Sequence, residues 1–167
     1  MAYDLDFVEE ATLRFHVRSF FLYPQYWSEN GATITFNTNW KRVRFTKGNQ
    51  RSIPQARGVY AFVLEPKYDH LVPTRYLFYV GKTNRTLQKR YGEYLDERDG
   101  KGKTRRKVFK MLKLYEDCMY FCYTELANED QVNALETSLL DTFVPHVNTL
   151  IPCARIKPEL QGVYEAN

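Results

Sequence analysis

The sequence predicts an α+β fold: a small three-stranded sheet, antiparallel or mixed, flanked by helices and preceded by an extension with a helix and a β-hairpin. Two kinds of pattern predict it. Gly58–Leu64, Arg75–Val80 and Cys118–Thr124 are rich in β-branched and aromatic residues, which suit a pleated, buried surface. Thr86–Glu97, Arg105–Tyr115 and the stretch from Glu129 instead repeat apolar residues at helical spacing. From Arg57 onward the order is strand, strand, helix, helix, strand, helix.

The elements follow from local chemistry. Phe7–Phe21 places Leu13, Val17 and Phe20 or Phe21 near helical spacing, and predicts the first helix. Ala32–Asn37 and Trp40–Phe45 alternate apolar and polar residues and predict strands paired across Asn37-Thr38-Asn39. The turn formers Glu65-Pro66-Lys67 and Val72-Pro73-Thr74 separate the next two strands. Thr86 or Asn84 caps the helix that follows, and Gly100 and Gly102 stop it. Asn128 caps the last helix, which Pro145 ends near Val144 because the residue before a proline is driven out of the helical region. No repeat or linker divides the chain, so residues 1–55 are read as an extension packed on a core at 56–150, with a tail at 151–167.

At 167 residues and 44% hydrophobic content the chain is near the size of one domain with its own core. It has no apolar run long enough for a membrane helix, and its acidic start differs from a secretory signal. A soluble protein of the cytoplasm or nucleoid is therefore expected. The three cysteines show no paired metal-ligand spacing, and Cys118 and Cys122 fall in an apolar stretch as small buried thiols do. Net charge is only +4, but Lys101, Lys103, Arg105, Arg106, Lys107, Lys110 and Lys113 crowd one segment. Such a cluster is either a solvated helix face or the footprint of a phosphate backbone.

Several side chains have both a structural and a chemical reading. In the last helix Val132, Leu135, Leu139 and Phe143 form a core-facing stripe, with Glu136 beside it. A carboxylate there either reaches solvent or is held by a cation, since an unpaired buried charge is costly. Arg90 and Tyr94 lie four apart on one helix face, where an arginine can snorkel and a tyrosine can pack.

Taken in order, these residues form a series. Gly58-Val59-Tyr60 is followed by Tyr79-Val80-Gly81, then Lys82, then Arg90 with Tyr94, then Glu136, and twelve residues later Asn148. The series resembles the GIY-YIG nucleases, among them the N-terminal nuclease domain of the bacterial excision-repair incision enzyme, over about Arg57–Leu150. Valine replaces the isoleucine of both tripeptides, which keeps strand propensity. The stretch between Tyr60 and Tyr79 is longer than usual, with the excess in Lys67–Thr74, and the basic helix is larger than in the minimal repair module.

The resemblance implies a DNA endonuclease dependent on Mg²⁺ or Mn²⁺, with Tyr60, Tyr79, Lys82, Arg90, Tyr94, Glu136 and Asn148 at the active site. Glu136 is the implied metal ligand, Arg90 and Lys82 the phosphate contacts, and Tyr60 or Tyr79 the residue that takes the proton from water. Asn148 is expected to fix the end of the Glu136 helix and to reach a tyrosine hydroxyl. The basic segment Lys101–Lys113 is the expected path of double-stranded DNA, and a self-contained restriction- or defence-like enzyme is the expected subtype. The alternatives are a non-catalytic nucleic-acid-binding module of the same fold and a structural protein whose tyrosines are core.

Overall fold

The computed structural model describes residue 13 and residues 16–149, and their β-rich segments form one antiparallel sheet. In chain order the elements are α1 (Pro24–Gly31), β1 (Lys41–Arg44), a 3₁₀ turn (Lys47–Ser52), β2 (Gly58–Leu64), β3 (Tyr76–Thr83), α2 (Leu87–Arg98), α3 (Arg106–Leu114), β4 (Met119–Glu125) and α4 (Glu129–Phe143). The strand order is β1-β4-β2-β3, so the sheet has four strands where three are expected from sequence. The added strand is β1, which pairs with β4 through Val43 opposite Phe121.

The expected N-terminal hairpin does not form. Ala32–Asn37 is an irregular segment whose Ile34 and Phe36 rest on the hydrophobic cluster beneath α4. Its alternation thus records alternating burial without a strand partner. Of the two expected strands only Trp40–Phe45 survives, as β1. The expected helix over Phe7–Phe21 falls mostly outside the described residues, and residues 16–21 are not helical. The expected tail at 151–167 also lies outside them.

β2 is central and buried on both faces, and its side chains divide two clusters. Tyr60, Phe62 and Leu64 point to the face covered by Leu87, Tyr91, Tyr94 and Leu95 of α2 and by Val108, Met111 and Leu112 of α3. Val59 and Ala61 point to the other face, against Val132, Leu135 and Leu140 of α4. The register slips between Phe62 and Val63, whose partners on β3 are Tyr79 and Leu77. Phe78 is therefore an extra, bulged residue, and it joins Tyr79 on the α2–α3 side.

Caps define the helices as expected. Thr86 accepts a hydrogen bond from the Lys89 amide (3.1 Å), and Asn128 accepts one from the Gln131 amide (2.9 Å). Beyond α2, Gly100 and Gly102 have φ of +74° and +71°, a left-handed backbone that glycine adopts without a Cβ penalty. α4 ends at Phe143, and Val144, pushed off the right-handed helix before Pro145, takes φ +42°.

Candidate active site

The two tripeptides depend on their glycines for contact. A Cβ on Gly58 would lie 2.1 Å from the carbonyl oxygen of Thr124 on β4, so only glycine lets the two strands approach. A Cβ on Gly81 would lie 2.5 Å from the Tyr60 hydroxyl. Gly81 is the cross-strand partner of Tyr60, and the missing side chain is the space that the Tyr60 ring fills.

Tyr60 is 1% exposed, and its ring stacks on Phe121 with centroids 5.2 Å apart. One helical turn of α2 brings two partners to its hydroxyl. Arg90 Nε donates to it at 2.9 Å, and the Tyr94 hydroxyl lies 3.0 Å away. Arg90 also donates from Nη2 to the Tyr94 hydroxyl (3.3 Å) and from Nη1 to Glu93 (2.7 Å). The guanidinium lies 4.7 Å from the centroid of the Tyr94 ring. Burial and the neighbouring Tyr79 push the Tyr60 phenol up to about 12 against the opposing charge of Arg90. Burial likewise holds Tyr94 well above the usual phenol range. Tyr60 and Tyr94 are therefore neutral hydroxyls near neutral pH.

Tyr79 lies across the sheet from Phe62 and is only half-buried. Its hydroxyl accepts a hydrogen bond from Arg105 Nη1 at 3.2 Å.

Lys82 and Glu136 meet on the opposite face of the sheet. Lys82 is the cross-strand partner of Val59, on the α4 side, and its Nζ lies 2.8 Å from Glu136 Oε2. Glu136 stands one turn from both Val132 and Leu140, which are buried, while Leu139 is only partly covered. The buried row of α4 is Val132, Leu135 and Leu140, and Glu136 lies alongside it. Its side chain is 16% exposed, and the Lys82 ammonium supplies the cation that such a partly buried charge needs.

Asn148 uses its side chain as a strand would use its backbone. Oδ1 accepts from the Val80 amide at 2.9 Å and Nδ2 donates to the Val80 carbonyl at 2.7 Å. It ties the segment after α4 to β3, and both polar atoms are engaged by the backbone of Val80.

The basic segment divides. Lys103, Arg106, Lys107, Lys110 and Lys113 are exposed, and on α3 the cations lie opposite the buried Val108, Met111 and Leu112. Lys101 pairs with Asp96 at 3.7 Å. Arg105 is exposed as well, with 43% of its side chain accessible, but it folds back onto the end of α2. Its Nη2 lies 2.7 Å from Oε2 of Glu97, a carboxylate only 7% exposed. Glu93, Glu97 and the pairing of Arg105 with Glu97 are not foreseen from the sequence. The only signal for the first is its i, i+3 spacing from Arg90, and Glu97 and Arg105 meet across a glycine turn that spacing does not disclose.

Residues 58–149 match the GIY-YIG catalytic domain, which spans more than half of the chain. The chain belongs to this family of nucleases. No curated protein and no solved structure matches it. Among the described residues no helix is long and apolar enough to cross a membrane.

Proposed function

We propose that the protein is a divalent-metal-dependent DNA endonuclease that hydrolyses phosphodiester bonds. The observation that carries this reading is Arg90, whose guanidinium is fixed by Tyr60, Tyr94 and Glu93 while its side chain stays 24% exposed. A planar cation held in that way is preorganised for the charge that grows on phosphoryl oxygens as water attacks and the P–O bond breaks.

Each remaining residue has a task. Tyr60 and Tyr94 keep their protons and hold Arg90 in place. Tyr79, the more open phenol, would orient the attacking water, and would take its proton only as the phenolate, its own proton having passed to solvent beforehand. Glu136 offers hard oxygen donors, and among the described residues no three His, Cys, Asp or Glu gather as a ligand cluster. One carboxylate fits Mg²⁺ or Mn²⁺, since hard ions of this kind keep most of their waters. Glu136 would hold the ion, with Lys82 beside it, and the bound ion would neutralise charge on the phosphate and acidify a water.

Plasmid DNA should be nicked or cut with Mg²⁺ and left intact with excess chelator, and Glu136→Gln should lower turnover by at least about 10²-fold. Cleavage by protein shown to be metal-free would refute the metal dependence. An absence of cleavage with Mg²⁺ and Mn²⁺ across varied DNA would refute the enzyme.

The substrate reading is duplex DNA lying along Arg106, Lys107, Lys110 and Lys113, in a restriction- or defence-like role in the cytoplasm or nucleoid. Residues outside 58–149, among them Lys41, Arg42 and Arg44, are the proposed source of specificity. Replacing Arg106, Lys107 and Lys113 with Gln should weaken binding on every sequence. The slope of log affinity against log salt should shrink by roughly 0.9 per lost contact, because each phosphate contact releases condensed counterions. An unchanged slope would make this stripe a solvated helix face.

A further inference from the structure

We infer that Arg105 is a positioning residue for Tyr79, anchored by Glu97, and not a contact to the DNA backbone. This deepens the nuclease reading and rests on it.

The geometry begins with the turn after α2. Left-handed Gly100 and Gly102 reverse the chain so that Arg105, the residue just before α3, returns against the last turn of α2. There it meets Glu97, a buried carboxylate that would be costly without partners. Arg105 supplies them. Its backbone amide donates to Glu97 Oε1 at 2.7 Å, Nε donates to the same oxygen at 3.2 Å, and Nη2 donates to Oε2 at 2.7 Å. The Nε–Nη2 edge of the guanidinium, one of the forks by which arginine grips a phosphate, is therefore committed to Glu97.

What remains is Nη1, and it donates to the Tyr79 hydroxyl at 3.2 Å. The same guanidinium lies 5.1 Å from the Tyr94 ring centroid and 5.9 Å from that of Tyr79. Tyr60 and Tyr94 are fixed by Arg90 and by each other, whereas Tyr79 contacts their rings at 6.5 and 6.1 Å in tilted and edge-on arrangements. Arg105 thus fills one lone pair of the Tyr79 oxygen and sets the direction in which the hydroxyl points. A pair that served only to cap α3 would be complete with Glu97; the third donor reaches a tyrosine of the motif.

The test compares Arg105→Gln, Arg105→Lys and Glu97→Gln with wild type, using Mg²⁺ and plasmid DNA. Single-turnover rate at saturating protein, DNA affinity against salt and melting temperature are all measured. Arg105→Gln and Arg105→Lys should each slow single-turnover cleavage by about 10- to 100-fold, the scale of a misplaced reacting group. Affinity and salt slope should stay near wild type, and Glu97→Gln should slow cleavage in the same way. Lysine keeps the charge and can pair with Glu97, so it tests the Tyr79 contact even if the glutamine variant does not fold. In a Tyr79→Phe background, Arg105→Lys should cost little further rate. Weaker binding with a reduced salt slope and an intact saturated rate would make Arg105 a backbone contact and overturn the inference. So would a lowered melting temperature with an unchanged rate, which marks a purely structural pair. An active wild type with unaffected variants defeats this inference alone, and an inactive wild type defeats the nuclease reading together with it.

Discussion

Arg90→Ala should lower single-turnover cleavage by about 10²- to 10³-fold, the scale of removing one preorganised donor to a charge that develops in the transition state. Its Nε, Nη1 and Nη2 atoms contact Tyr60, Glu93 and Tyr94, so the side chain is oriented before substrate arrives. The fold should survive the change. Tyr60 and Tyr94 keep their mutual hydrogen bond at 3.0 Å, and Glu93 keeps Arg85, 2.8 Å away. Arg90→Lys should remain poor, because an ammonium cannot span two hydroxyls and a carboxylate while also facing a phosphate. Single-turnover assays paired with thermal melts check this. A rate within a few-fold of wild type would remove Arg90 from the chemistry, and a collapsed melt would make it a core residue.

The second large effect is on stability. Gly58→Ala places a methyl group 2.1 Å from the Thr124 carbonyl oxygen, and neither side can yield. Gly58 is paired with both Thr83 and Glu125, so moving its backbone disrupts two ladders. The cost should reach about 3 kcal/mol, at the upper end for overpacking. In a protein of this size that lowers the melting temperature by about 6–12 °C. Gly81→Ala should behave differently. Its methyl group meets the Tyr60 ring at 2.5–2.8 Å, so the side chain rather than the backbone must shift, and turnover should fall by at least about 10-fold. Calorimetry and cleavage assays on the two variants distinguish these outcomes. A wild-type melt for Gly58→Ala would show that the strands have room to part.

Sequence disclosed the second half of the chain more fully than the first, for physical reasons. Thr86 and Asn128 act locally, each bonding an amide three residues on, so their caps are legible from neighbours alone. The same holds for β2, whose apolar run Gly58–Leu64 coincides with the strand. β1 finds its partner about eighty residues away in β4, and no local pattern specifies such a pairing. α1 buries none of its residues and so has no apolar stripe to read. It is held through Asn30, which donates to Thr142 at 3.0 Å and accepts from Ser138 at 3.0 Å. The tyrosines, Arg90 and Glu136 were legible because their order along the chain matches a known series. Their division between the two faces of the sheet was not, since it depends on strand register: Tyr60 opposite Gly81, Val59 opposite Lys82.

Among the described residues β3 ends the sheet, and one of its sides has no neighbouring strand. A bare strand edge is a template on which a second molecule can add its own strand, the first step towards fibrous aggregates. Val147 covers part of that edge with its amide, 3.0 Å from the Phe78 carbonyl, and Asn148 takes both polar groups of Val80. The short segment after α4 therefore works as a surrogate strand too brief to propagate. The side chain of Asn148, the last member of the series that begins at Gly58, thus occupies two backbone groups on which an added strand would otherwise pair.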